Sequence, residues 1–428
     1  MKEKIKVGYV GLGDRGYAML ERCIAKMNDV EVLYLCDVND APLTKAKEMI
    51  KSNCGYEPKT TYGYHDILAD KEVDAVFLMT GWDGRTQMVT EFMRAGIYVG
   101  FEVGEAESIE ECFTLVDTYE ATGTPAMMLE NCCYGRRELM LLNMIKQGLF
   151  GEVVHCTGGY QHYTTDAVTF KGIEKDDATS SNFRLKHCLD HNREFYPTHE
   201  LGPICKMLNI NRGNRMVRLN SVATKAVGLK SYAKEHFGAD SVWANLPYIQ
   251  GDIVNTVITC ENGETILLTL DNTLPRAFYS RNISVRGTKA MSSEDARVVF
   301  LDSMSATVDP HSDEGVRNNE DEFYAKYDHP ISREMIAACD LNDALRINWL
   351  VMRAFIESVK AGTNTPIDIY DAASWMCIGV LSEQSIKNNG APVDIPDFTR
   401  GKYKCREDVV KSKYCLEEVV DDPSVKVM

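Results

Sequence analysis

The stretch KIKVGYVGLGDRG, Lys4–Gly16, decides the fold. A short β-branched run leads into G-x-G-x-x-G at Gly11, Gly13 and Gly16. Helical spacing follows in YAMLERCIAKM, and then a second apolar run, VEVLYLCDVND, carries Asp37, 21 residues past Gly16. Strand, glycine turn, helix, strand and acid, in that order, make a dinucleotide fingerprint in the context it needs. The glycines let the backbone approach a pyrophosphate, which rests on the N-terminus of the helix. The loop Gly11, Leu12, Gly13, Asp14, Arg15 and Gly16 is therefore assigned to a cofactor. Asp37 would accept hydrogen bonds from the adenosine ribose. Its charge would repel a 2′-phosphate, so the expected cofactor is NAD rather than NADP.

The pattern continues outward from that loop. VDAVFLMTG, TQMVTEFMRAG, IYVGFEVG, SIEECFTLVDTYEATG and PAMMLENC alternate strand and helix. This predicts a doubly wound parallel sheet, a Rossmann domain, over residues 1–131. Strand ends in such a sheet face the ligand crevice. Thr80, Trp82, Glu102, Val103, Glu130 and Asn131 fall there. For any one of them alone, a loop polar group capping a helix is an equal explanation.

The 428 residues carry a net charge of −16 with no long basic run, which argues against nucleic acid or an anionic membrane as partner. No apolar stretch is long enough to span a bilayer. The start runs directly into a strand without an apolar signal region, so a cytoplasmic location is expected. Fourteen cysteines include no C-x-x-C pair, and are expected to be reduced thiols packed as small apolar groups. No H-E-x-x-H or grouped Cys/His spacing is present, so no metal is expected.

Residues 132–428 read as an α+β domain for substrate and oligomerisation. A helix ends near Gly148, a strand runs from Glu152 to Tyr160, and Thr164 to Asn192 is polar and irregular, as loops serving a ligand site or interface are. REFYPTHELGP, Arg193–Pro203, then opens a helix. Thr198 is its expected cap, which puts His199 in the first turn, where the helix dipole disfavours a positive charge. A neutral histidine near Tyr196 is a candidate proton-transfer pair. RLNSVATKAV, IVNTVITCENGETILLTLDN and SRNISVRGTKA alternate apolar and polar residues, with a hairpin turn at Asn262-Gly263. They predict an open antiparallel sheet whose exposed face pairs with a copy of itself, giving a homo-oligomer. Two amphipathic helices within 343–390 are expected to return towards the first domain, and the last thirty or so residues to form a surface tail.

These motifs together resemble the Gfo/Idh/MocA oxidoreductases and, within them, glycoside hydrolase family 109, the NAD-dependent α-N-acetylgalactosaminidases. The resemblance is carried by GLGDRG, CDV, EVGEA, MMLENCCYGRRELMLLNMIKQGLFGEVVH, GGYQH, FRLKH, YPTHELGPICKMLNINRGNR, TLDNTLPRAFYSRNISVRGTK and IDIYDAASWMCIGVLSEQSI, in order over most of the chain. It implies a glycosidase that oxidises its sugar at C3, eliminates across C1 and C2, adds water and reduces the ketone. It puts Tyr160 and His199 at proton transfer and Tyr196 at substrate positioning. The wider family's E-K-P lysine is missing from EVGEA, which carries Gly104 and Glu105. YPTHELGP carries Glu200 where the hydrolases have glycine. GWDGR keeps Trp82 and puts Arg85 in a histidine place; ACDLND brings in Cys339 and keeps Asp343. Two rival readings follow from these departures: an NAD-dependent sugar dehydrogenase releasing a 3-keto product, and a non-catalytic NAD-binding relative.

Overall fold

Six short apolar runs build the first sheet of the computed structural model. They are β1 Ile5–Val10, β2 Val30–Cys36, β3 Lys59–Thr61, β4 Ala75–Leu78, β5 Tyr98–Phe101 and β6 Ala126–Met128. Every pairing is parallel and the order is β3-β2-β1-β4-β5-β6. Helices Asp14–Arg22, Asp40–Cys54, Arg85–Arg94 and Ile109–Thr122 alternate with the strands. All four residues of β4 are buried, as expected of a central strand covered on both faces. Sheet growth reverses between β1 and β4, which makes their carboxyl ends the switch point where ligands bind. The structure describes residues 4–174, 182–307, 309, 311–312, 316–338, 342–406, 410–416 and 418–419.

The chain divides into two compact units. The first comprises residues 1–140, 328–373 and 405–428, and the second residues 141–327 and 374–404. The sequence reading drew one boundary, at 131/132; the first unit is instead assembled from three separate stretches. Helix Asp343–Ala361 belongs to it and packs on β1 and β5. Phe355 of that helix meets Phe77 of β4 edge-on at 5.1 Å between ring centroids. Arg353, also on it and buried, forms a bidentate pair with Asp29 at 2.7 and 2.8 Å, and Lys360 adds a third bond to Asp29 at 2.7 Å. The expected surface tail is a correction. Tyr414, Cys415 and Leu416 are buried, and the Tyr134 hydroxyl donates to the Tyr414 carbonyl at 3.1 Å. Three anchoring residues inside a charged stretch leave no periodic signal.

The second unit is built on an eight-stranded sheet. Its strands are β7 Val153–Gly158, β8 Met216–Ala223, β9 Ile253–Cys260, β10 Thr265–Asp271, β11 Ser284–Gly287, β12 Ala290–Ser293, β13 Val298–Leu301 and β14 Val393–Asp394. The order is β13-β12-β11-β7-β10-β9-β8-β14. The sheet is antiparallel except where β7 runs parallel to β10. Strands joined by tight turns must run antiparallel; β7 is separated from β10 by a long excursion and is free of that constraint. Strands β9 and β10 bury alternate residues: Val254, Thr256, Ile258 and Cys260 on one, Ile266, Leu268 and Leu270 on the other. Helix Thr198–Met207 lies against β7, and it can do so because residue 158 is glycine. A Cβ there would stand 2.8 Å from the Cβ of Glu200.

The polar segment 164–192 is not irregular throughout. Helix Phe183–Asp190 lies in it, capped by the Asn182 side chain, which accepts from the Arg184 N–H at 2.9 Å. Only Leu185, His187 and Cys188 of that helix are buried, too short a stripe for periodicity to reveal. Among the described residues no helix is long and apolar enough to cross a membrane. The described cysteines are all free.

The Asp29–Arg353 pair gives a test of how the returning helix is held. Burial alone would push the Asp29 carboxyl up; hydrogen bonds from Arg353 and Lys360 overrule it and hold the pKa well below its usual value. A carboxylate depressed in the folded state binds fewer protons there than when unfolded. Its contribution is therefore full above the ordinary value near 4 and is lost as pH falls through and below it. Arg353→Met should lower unfolding stability by about 2–4 kcal/mol in urea at pH 7. Asp29→Asn should flatten the acid limb of the stability profile below about pH 4.

Candidate functional site

The first unit carries the residues that the sequence assigns to a cofactor. Gly11 has φ +92°, and a Cβ there would lie 2.7 Å from the Met79 carbonyl oxygen. A Cβ at Gly16 would lie 2.2 Å from the Gly11 carbonyl oxygen, whereas one at Gly13 meets nothing within 4 Å. Two glycines thus serve the turn and the helix contact, and the third leaves an open cradle. Helix Asp14–Arg22 starts after Gly13 with no side-chain cap, the kind of helix N-terminus that suits an anion. Asp37 ties the cradle to β2. Its Oδ2 accepts from the Leu12 N–H at 2.7 Å and its Oδ1 from the Asn39 N–H at 3.0 Å. A carboxylate has about four acceptor sites, so capacity remains for a ribose. These features fit a dinucleotide.

The strand-end residues gather around the same loop. Arg15 pairs with Glu102 at 2.7 Å, and the Val103 N–H donates to the other Glu102 oxygen at 3.3 Å. Arg85, buried at the start of its helix, donates to the Val103 carbonyl at 3.0 Å. Glu105 is buried on the same loop as Val103, and the Thr80 hydroxyl donates to the Gly81 carbonyl at 3.3 Å. Trp82 follows β4 and Asn131 follows β6. Asn131 donates to the side-chain oxygen of Asn348 at 2.8 Å, and Arg15 donates to the same atom at 3.2 Å. Asn348 was invisible from the sequence: it sits on an amphipathic helix far from any motif. Asp343, at the start of that helix, is ion-paired with Arg346. Cys339 lies outside the described residues.

The second unit brings Tyr160, Tyr196 and His199 together. The Tyr160 and Tyr196 rings lie 4.5 Å apart, His199 is 5.0 Å from Tyr196 and edge-on to it, and His199 is 5.8 Å from Tyr160. Tyr160 continues from β7, and its carbonyl accepts from the Asp271 N–H at 3.1 Å. Thr198 is not the cap. Pro197 occupies that position with φ −75° and ψ −16°, already near helical values, so the helix begins at Thr198. The Thr198 hydroxyl is buried without a hydrogen-bond partner among the described residues. His199 does fall in the first turn.

Three further side chains join this cluster. The Arg184 guanidinium lies 4.3 Å from the centroid of Tyr196, a cation–π contact. His162 is 5.9 Å from Tyr160, and Tyr279 is 5.0 Å from His162. Backbone bonds between Gln161 and Ser280, at 3.0 and 3.1 Å, draw the Tyr279 loop to the end of β7. Burial lowers the His162 pKa, and the nearby His199 and the Arg184 guanidinium act in the same direction. That favours a neutral imidazole able to accept a proton. The sequence signals for these residues were weak: His162 stands two places from Tyr160, Arg184 sits in the polar segment, and Tyr279 is one aromatic in a loop.

Close in sequence to the cluster, Glu194, Glu200 and His187 are buried, and His191 is half-buried. Glu194 is fully buried, its N–H donates to the Ser382 hydroxyl at 2.8 Å, and burial pushes its carboxyl far above the usual carboxylate range. Glu200 is fully buried against Gly158. The His187 and His191 rings lie 4.9 Å apart and tilted by 35°, and His191 pairs with Glu383 at 3.1 Å. Burial, with Arg193 next in effect, pushes His187 down to about 2, so it stays neutral. Phenols and imidazoles at these separations can hold, pass and return protons around a small polar ligand.

Residues 134–405 match the family described as Glycosyl hydrolase 109, C-terminal domain. A glycosyl hydrolase family 109 protein of Stenotrophomonas maltophilia is 35% identical over 95% of this chain and 91% of its own length. An alpha-N-acetylgalactosaminidase of Tannerella forsythia is 34% identical over 94% of this chain and 88% of its own. Among solved structures, scyllo-inositol dehydrogenase from Lactobacillus casei with bound NAD(H) and scyllo-inositol aligns over 92% of this chain and 99% of its own, with a TM-score of 0.62 at 13% identity. The last likeness is one of fold, that of a two-domain oxidoreductase. With a domain match over most of its length and relatives alike from end to end, the chain belongs to glycosyl hydrolase family 109 and is an enzyme of that family.

Proposed function

We propose that this enzyme cleaves a glycoside, of an N-acetylated hexosamine or a related sugar, by transient oxidation at C3 with NAD as a retained cofactor. The observation that carries the reading is the convergence of Tyr160, Tyr196 and His199 in the second unit. The open glycine cradle and Asp37 in the first unit support the choice of cofactor. The name of the Tannerella forsythia relative supports the choice of sugar.

Bound NAD supplies a reversible hydride acceptor, so that the C3 alcohol is carried as a ketone through one turnover. A C–H beside an alcohol is beyond any side chain, whereas one beside a ketone is acidic enough for a phenolate or imidazole. Tyr160 and His199 accept the C3 hydroxyl proton as that alcohol is oxidised and return it on re-reduction, take the proton from C2, and deliver one to the leaving oxygen at C1. The same pair returns a proton to C2 when water adds. Tyr196, pinned under Arg184, orients the sugar. The open face of the second sheet, in this reading, pairs two copies of the chain. The dehydrogenase likeness of the fold keeps a second reading in view, net oxidation of a free sugar to a 3-keto product. A panel of nitrophenyl glycosides separates the two: the first releases nitrophenol without net NADH, and the second makes stoichiometric NADH from free sugars.

Cofactor choice is tested by titration. NAD should bind more tightly than NADP, and Asp37→Ala should weaken NAD by roughly 1–3 kcal/mol; tighter binding of NADP would refute the assignment.

The route itself is tested in heavy water, where the released sugar should carry deuterium at C2. His199→Ala should keep NAD and lose about 10²–10⁴-fold in turnover, Tyr160→Phe should behave alike, and Tyr196→Phe should chiefly raise KM. A product without deuterium at C2 would eliminate the oxidation–elimination route.

A further inference from the structure

Asn348 lies in the second turn of helix Asp343–Ala361, 333 residues after Arg15 in the chain. It is 8% exposed, and its amide makes three hydrogen bonds. The oxygen accepts from Arg15 Nη2 at 3.2 Å and from Asn131 Nδ2 at 2.8 Å. The nitrogen donates to the Ala344 carbonyl at 2.6 Å. Reversing the amide would set its NH₂ against two donors and its oxygen against a carbonyl, so the orientation is determined. Arg15 is in turn bonded through Nε to Glu102 at 2.7 Å.

One buried amide therefore joins the first turn of the glycine-loop helix, the end of β5 through Glu102, and the end of β6 through Asn131. All of this lies on the β4–β6 side of the switch point, whereas Asp37 lies on the β2 side. A dinucleotide straddling the switch point puts its adenosine on the Asp37 side and its nicotinamide half over the other. The network is polar and away from the adenosine half; Asn348, Asn131 and Glu102 are buried in it, and Arg15 is exposed. A buried polar contact of this kind lowers stability unless its members are bonded, and here both the oxygen and the nitrogen of the amide are.

We propose that Asn348 is a positioning residue for the nicotinamide half of the cofactor, holding Arg15 and Asn131 in the places that half requires. The inference rests on the NAD reading above and assigns the late helix a part in it. Without the amide oxygen, Arg15 keeps Glu102 but loses its second anchor, and Asn131 is left with a buried, unfulfilled donor. The adenosine half, served by Asp37 and the glycine cradle, is untouched.

The test is calorimetric titration of the full-length protein and two variants with NAD and, separately, with AMP, which occupies only the adenosine half. Asn348→Ala should weaken NAD about tenfold, the scale of one hydrogen bond to a charged group, and leave AMP within about twofold. Asn348→Asp keeps an acceptor oxygen for both donors but gives up the bond to the Ala344 carbonyl, so it should bind NAD more weakly than the parent and clearly more tightly than Asn348→Ala. AMP binding doubles as the control for folding. Equal losses of NAD and AMP, in Asn348→Ala or in Asn348→Asp, would reduce Asn348 to a structural residue and overturn the proposal. NAD binding unchanged in Asn348→Ala, or no tighter in Asn348→Asp than in Asn348→Ala, would overturn it as well. If the parent protein bound AMP but not NAD, the cofactor reading itself would fall, a result distinct from any in the variants.

Discussion

Gly16 stands so near the Gly11 carbonyl that a single methyl group would close to 2.2 Å. The rest of the first unit depends on that approach. It lets the helix Asp14–Arg22 start directly at the end of β1, so its dipole points into the crevice and not past it. It also leaves the Leu12 N–H facing Asp37, which fastens the loop to the neighbouring strand. Side chains decorate this geometry and do not create it. Arg15 reaches Glu102 because the helix begins where it does.

The second unit uses the same device in another setting. Gly158 near the end of β7 admits helix Thr198–Met207, and a larger residue would press on Glu200. The helix can then carry His199 in its first turn beside Tyr196, while the strand it touches continues into Tyr160. In each unit a glycine on or just beyond a strand admits a helix, and the helix start delivers the chemistry. In the first unit that chemistry belongs to the backbone, as an anion cradle. In the second it belongs to side chains, as a cluster of phenols and imidazole.

The sequence revealed this unevenly, for physical reasons. The glycine loop, Asp37 and the parallel strands were legible because each depends on neighbours within a few dozen residues. Strands β9 and β10 were legible because one buried face imposes strict alternation. Tyr160, Tyr196 and His199 were drawn from family resemblance; the spacing alone left each with an ordinary structural explanation. Arg184, Tyr279 and Asn348 act through contacts made across long separations, for which no local pattern exists. The Phe183–Asp190 helix and the anchor at Tyr414–Leu416 failed to show because each buries only three residues. Thr198 misled because Pro197 is already bent to helical angles, so the expected cap is displaced by one residue.

The first unit is discontinuous, and this bears on how the protein is made. Its sheet emerges first during synthesis, yet one face of β1 and β5 is covered by helix Asp343–Ala361, and Tyr134 is tied to Tyr414 across 280 residues. Until those late stretches leave the ribosome, apolar strand surface stays bare and Arg15 and Asn131 lack their bonds to Asn348. The N-terminal half cannot mature as an independent module. It must wait, partly formed, while the second sheet is translated. Long-range closure of this kind slows folding and keeps apolar strand surface open to self-association until the last stretch has been made.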